Sequence, residues 1–236
     1  MFDIRGLTDD FKTEESPKYG LTDSRFYIAI FVAVVLMVVT ILGMIGLANT
    51  VVAELILLLY NTFWFLGVAV MSIVLSVGWY VGLKGIDADS MSLASIGVGL
   101  TILGYSGFGG AILSMFDSSI WVASIIVTGV ITIGITVVLS AYIFTGRRDL
   151  SNWMRYSAYC FISAFVLAFV GSFFPPLQLI VLLLVLVGFT LDLGFEIWYC
   201  SRGGRTPIAN GFAIYFAFAG LFVHILQLVL QSFARE

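Results

Sequence analysis

Apolar residues fill this chain in long runs, and the charged residues collect in the short polar stretches between them. The first run, about Phe26 to Leu47, supplies the ~20 residues that an α-helix needs to cross a ~30 Å hydrocarbon core. Further runs of this kind predict helices at about Ser92–Phe116, Ile120–Phe144, Asn152–Phe174 and Ile208–Leu230, with another opening at Leu177. Pro175-Pro176 stops the run that begins at Asn152, because proline lacks the backbone donor that the next turn requires. The Ser92–Phe116 run is dense in glycine (Gly97, Gly99, Gly104, Gly107, Gly109 and Gly110), which lets neighbouring backbones approach closely. Gly43 and Gly46 offer the first helix a similar contact.

Asn49–Lys84 is too long for one straight span and short for two. The basic residues decide between them. With a single crossing, Arg5, Lys12, Lys18, Arg25, Lys84, Arg147, Arg148, Arg155, Arg202 and Arg205 share one side, and only Arg235 lies opposite. With two crossings, the basic residues from Lys84 to Arg205 fall on the other side from the tail. The positive-inside rule therefore predicts seven spans, with the N-terminus cytoplasmic and the C-terminus outside. The surplus in Asn49–Lys84 is expected as a tilted, kinked or interfacial lead-in that carries Glu54.

Composition agrees with an all-α, seven-transmembrane-helix bundle in the cell membrane. The chain has 236 residues, 61% hydrophobic and only 11% charged, with a mean hydropathy of +1.09; a soluble domain needs about 25% charged residues. The expected organisation is a polar cytoplasmic tail at 1–24, with Gly6, Pro17 and Gly20, and a membrane domain at 25–236. No cleavable signal segment is read at the N-terminus. Cys160 and Cys200 lack the spacing of a disulfide framework or a zinc site. No phosphate loop, cofactor motif or nucleic-acid stripe appears. Trp79-Tyr80, Trp121, Trp153 and Trp198-Tyr199 read as interface anchors.

The candidate chemistry lies in the stretch from Leu177 to Arg205. Asp192 and Glu196 stand one helical turn apart, so they share a face. Counting from Arg202 as the cytoplasmic edge, Glu196 lies ~9 Å and Asp192 ~15 Å inside the membrane. A carboxylate at that depth is costly, which makes Asp192 the leading functional residue and Glu196 an interfacial candidate. Arg155 is the expected salt-bridge partner of Glu196. Glu54 is expected near the outer face, where it could line a cation entry. His224, with Gln227 and Gln231, suits hydrogen bonding between helices. A sharper reading pairs it with Ser106 in Gly104-Tyr105-Ser106-Gly107, the Gly-x-Ser-Gly pattern of rhomboid proteases, since a serine nucleophile needs a nearby base.

Tyr142-Ile-Phe-Thr-Gly-Arg-Arg-Asp-Leu-Ser151, followed by Asn152-Trp-Met-Arg155, resembles the helix four–five junction of the transmembrane Bax inhibitor motif family. Leu191-Asp192-Leu193 with Ile197 is similar to that family's helix-six Tyr-Asp motif. Ile214-Tyr215, Leu221-Phe222 and Ile225-Leu226 are similar to its closing helix. The resemblance covers roughly 92–236. It implies a seven-helix protein that leaks calcium in a pH-sensitive way, gated by two aspartates that share a proton. Asp192 takes the helix-six position, although an ungapped match from Gly188 places Leu193 there. The helix-seven position holds Ala217. The expectation is thus a passive cation leak, with calcium or another cation as partner, modulated through Asp192 and not enzymatic, with no cofactor and no bound metal. A serine intramembrane protease using Ser106 and His224, or a non-conducting interaction protein, are the rival readings.

Overall fold

In the computed structural model, residues 24–62, 64–145, 149–174 and 176–234 are described. The expected tail at 1–24 falls almost wholly outside them, as do Arg147, Arg148 and Arg235. The described chain is helical: α1 (Ser24–Leu47), α2 (Val51–Thr62), α3 (Trp64–Asp87), α4 (Met91–Ser114), α5 (Trp121–Thr145, after a short 3-10 turn), α6 (Trp153–Gly171), α7 (Leu177–Ser201) and α8 (Pro207–Phe233). Seven of these helices are long and apolar enough to cross a membrane.

The Asn49–Lys84 segment resolves into two helices. The 12-residue α2 is too short to span. It packs against the end of α4, with Ile56 at Gly107 and the Tyr60 ring stacked on Phe108 at 5.5 Å. Only α3 crosses, so the crossing number stays odd.

Helix directions follow from the contacts. Gly43 faces Ser106 and Gly109 faces Met44, so α1 and α4 run parallel. Gly78 meets Thr101 and Gly85 meets Ala94, which makes α3 antiparallel to α4. At Gly97 and Gly82 the two backbones come so close that any side chain would collide, which explains much of the glycine density of α4. Arg25, Lys84, Arg155, Arg202 and Arg205 consequently lie at one end of the bundle, here called the basic end, with Glu54 at the other.

The centre is α8: 72% of its apolar window is buried, against 28% for α1 and α7 and 17% for the α5 span. Small residues permit this. Gly211 lies on the Ala29 carbonyl of α1, and Gly220 lies beneath the Phe189 ring of α7. On α3, Gly82 accommodates Phe212 and Trp79 meets Phe216. From α4, the Tyr105 hydroxyl donates to the Phe216 carbonyl at 2.9 Å. Helix α6 stands outside α7, joined by Phe161 at Gly188 and touching α3 through Phe65 and Phe165. A polar tie secures α1 to α8: Thr40 Oγ1 donates to Leu36 O at 2.9 Å, so the Tyr215 hydroxyl, 2.7 Å away, is the donor to Thr40.

Candidate functional site

The turn between α7 and α8 is built around two glycines. Gly203 takes φ 76°, the left-handed conformation that ends many helices. Its N–H donates to Cys200 O at 3.0 Å and that of Gly204 to Tyr199 O at 3.1 Å, the paired bonds of a Schellman cap. Gly204 needs to be glycine for another reason, since a Cβ there would strike the Tyr199 ring. Thr206 caps the start of α8, its Oγ1 accepting from Ala209 N–H at 3.3 Å, with Pro207 in the first turn.

This reversal sends Arg205 back over α7. Its guanidinium lies 4.8 Å from the centre of the Tyr199 ring and donates through Nη1 to Glu196 Oε2 at 2.6 Å. The Asn210 side-chain amide donates to the Arg205 carbonyl at 3.1 Å and fixes the base of the loop. Burial alone would favour a neutral guanidinium, but the Glu196 carboxylate more than offsets it, with help from Tyr199 and Asp87, and the Arg205 pKa is raised. One expectation is corrected here. The partner of Glu196 is Arg205, not Arg155, because the Gly203-Gly204 turn folds the chain back on itself. Glu196 itself is buried within the protein, with only 3% of its surface exposed.

Asp192 has the opposite character. It is half-buried and lies within electrostatic reach of Glu196, Arg205 and Tyr105. Among the described residues, no hydrogen bond or ion pair satisfies its carboxylate. One turn before it, Phe189 packs on Phe216 at 6.3 Å and on His224 at 5.5 Å. Tyr105 and Trp79 close on Phe216 from the other side. Phe216 and His224 are themselves half-buried, and on this face of α8 they meet rings from α3, α4 and α7 in one aromatic cluster. Asp192 lies within electrostatic reach of Tyr105, a member of that cluster. The sequence marked Asp192 but not the rings, which come from four helices at unrelated spacings.

Of the remaining candidates, His224 belongs to this aromatic cluster and the others lie elsewhere. Glu54 is exposed in the first turn of α2, where a negative charge suits a helix N-terminus. Arg155 is half-buried in the first turn of α6. Ser106 is buried toward α1, its Oγ donating to Thr40 O at 3.2 Å. His224 faces the Phe108 and Phe189 rings, with Nδ1 donating to Gly220 O at 2.7 Å. The two members of the suggested dyad thus point to different neighbours. The described residues contain no group of three His, Cys, Asp or Glu side chains that could hold a metal ion.

Sequence reading also missed two hydroxyls on α5. Ser124 and Thr128 are fully buried, and neither hydroxyl has a hydrogen-bond partner; their i, i+4 spacing was the available signal. No family model matches the chain, and no curated protein or solved structure matches it.

Proposed function

We propose that the protein is a passive cation-leak pathway of the Bax inhibitor motif type in the cell membrane, with its N-terminus cytoplasmic and calcium as the cation that the sequence resemblance implies. The observation that carries this reading is the Asp192 carboxylate. It is half-buried within a membrane bundle and has no hydrogen-bonding partner among the described residues. An acid at the centre of a membrane helix costs about 2.5–3.5 kcal/mol. Fixed packing would compensate that cost with a partner, as Arg205 does for Glu196. A transient cation supplies the missing compensation at Asp192. Ala217, buried on α8, leaves the resemblance's second aspartate without a counterpart, so a single carboxylate carries the gate.

The orientation rests on charge. Arg25, Lys84, Arg155, Arg202 and Arg205 gather at one end of the bundle, as cytoplasmic residues do. In liposomes, calcium influx through the wild type is expected to vary between pH 6 and pH 8, as the resemblance implies, and through Asp192→Asn to be low and flat. Equal, pH-independent influx in both would remove Asp192 from the mechanism. No influx in either would favour a non-conducting interaction protein.

A further inference from the structure

The ion pair at the α7–α8 turn stands between Asp192 and the basic end of the bundle. Glu196 is one helical turn from Asp192 on the same face, and its carboxylate accepts from Arg205 Nη1 at 2.6 Å. While that bond lasts, a cation at Asp192 meets a single carboxylate, because the guanidinium already answers the charge of Glu196. Calcium takes six to eight oxygen ligands, so a second acid one turn away changes what Asp192 can hold.

Arg205 is placed so that it can leave. It belongs to the turn and not to a helix, following Gly204 and Gly203, whose φ is 76°. Its side chain keeps 17% of its surface exposed, against 3% for Glu196. A second carboxylate is near. Asp87, the last residue of α3, is exposed and within electrostatic reach of the guanidinium. The helix contacts put it there, since Gly82, earlier on α3, receives the Phe212 ring of α8.

We propose that Arg205 is a latch on the cation path: bonded to Glu196 it withholds the second carboxylate, and swung to Asp87 it leaves Glu196 and Asp192 to hold a divalent cation together. An unpaired buried carboxylate is costly, so Glu196 exchanges one cation for another and the swing is coupled to the arrival of the ion. This rests on the reading that a cation reaches Asp192, and it adds the residue that regulates that step.

The test measures calcium influx into liposomes beside the thermal midpoint in detergent with and without calcium, with calcein retention as the check against general leakage. Asp87→Asn removes the second position of the guanidinium. It is expected to lower influx severalfold and to leave the calcium-free midpoint unchanged, as suits an exposed residue. Arg205→Met frees Glu196, so influx should rise severalfold and the rise should vanish when Asp192→Asn is added. Calcium at about ten times its dissociation constant should raise the midpoint of Arg205→Met by about 3–6 °C. Glu196→Gln added to Arg205→Met should abolish both gains. If Arg205→Met does not fold, Asp87→Asn decides alone. The proposal is overturned if Asp87→Asn leaves influx unchanged, or if calcium raises the midpoint of the double variant as much as that of Arg205→Met. Asp192-dependent influx that Asp87→Asn does not alter would overturn the latch and leave the leak reading standing. A calcium shift confined to Arg205→Met, with no influx through any variant, would support the latch and sink the leak reading.

Discussion

Replacing Arg205 with methionine isolates the buried ion pair at the α7–α8 turn. Glu196 is 3% exposed and the Arg205 side chain 17%, so the substitution leaves a carboxylate inside the protein with no counter-charge. Stranding one member of a buried pair costs about 3–5 kcal/mol. The partial exposure of Arg205 moves this case toward the lower figure, and losing the guanidinium–Tyr199 stack adds about 1 kcal/mol. At about 2–4 °C per kcal/mol for a chain of this size, a loss of about 4 kcal/mol should lower the thermal midpoint in detergent by roughly 8–16 °C. The double variant Glu196→Gln, Arg205→Met should recover much of the loss, because an uncharged pair of similar volume avoids the desolvation cost. If Arg205→Met lowers the midpoint by less than about 2 °C, the pair does not hold the turn and the description of this corner is wrong.

Gly203→Ala should cost about 1 kcal/mol through its left-handed φ, read as a drop in the same midpoint. Gly204→Ala should cost more, because its Cβ meets the Tyr199 ring on which Arg205 rests; an equal or smaller loss would argue against that stack. Tyr215→Phe removes the donor to Thr40 and should lower stability by about 1 kcal/mol, measured by thermal unfolding. For topology, a fluorescent protein fused after residue 236 should be dark and alkaline phosphatase fused there active; the opposite pattern would invert the bundle.

The architecture was readable in the sequence because membrane helices are written in long apolar runs, and the basic residues fixed the crossing number without any contact being known. Only the break inside Asn49–Lys84 was blurred, since α2 and α3 are both apolar and separated by a step too short to register. Asp192 stood out for the same reason that the helices did, as a charge where none is cheap. The partner of Glu196 did not. Arg205 reads as one more basic loop residue until Gly203 and Gly204 are known to turn the chain back, and Arg155 seemed nearer because it opens the adjacent helix. The aromatic cluster was illegible for a different reason. Trp79 looked like an interface anchor, and Tyr105 was only a position in a Gly-x-Ser-Gly pattern. They meet only because α8 is the central helix, which its small residues permit but no local spacing declares.

The central claim is that Asp192 lies on the cation path. Asp192→Cys, in a chain also carrying Cys160→Ser and Cys200→Ala, gives one reactive position where the carboxylate stood. Calcium influx into liposomes is then followed before and after a membrane-impermeant anionic methanethiosulfonate is added. The account predicts low influx before modification and a rise once the reagent has restored a negative charge at position 192. Complete modification with influx unchanged would contradict it.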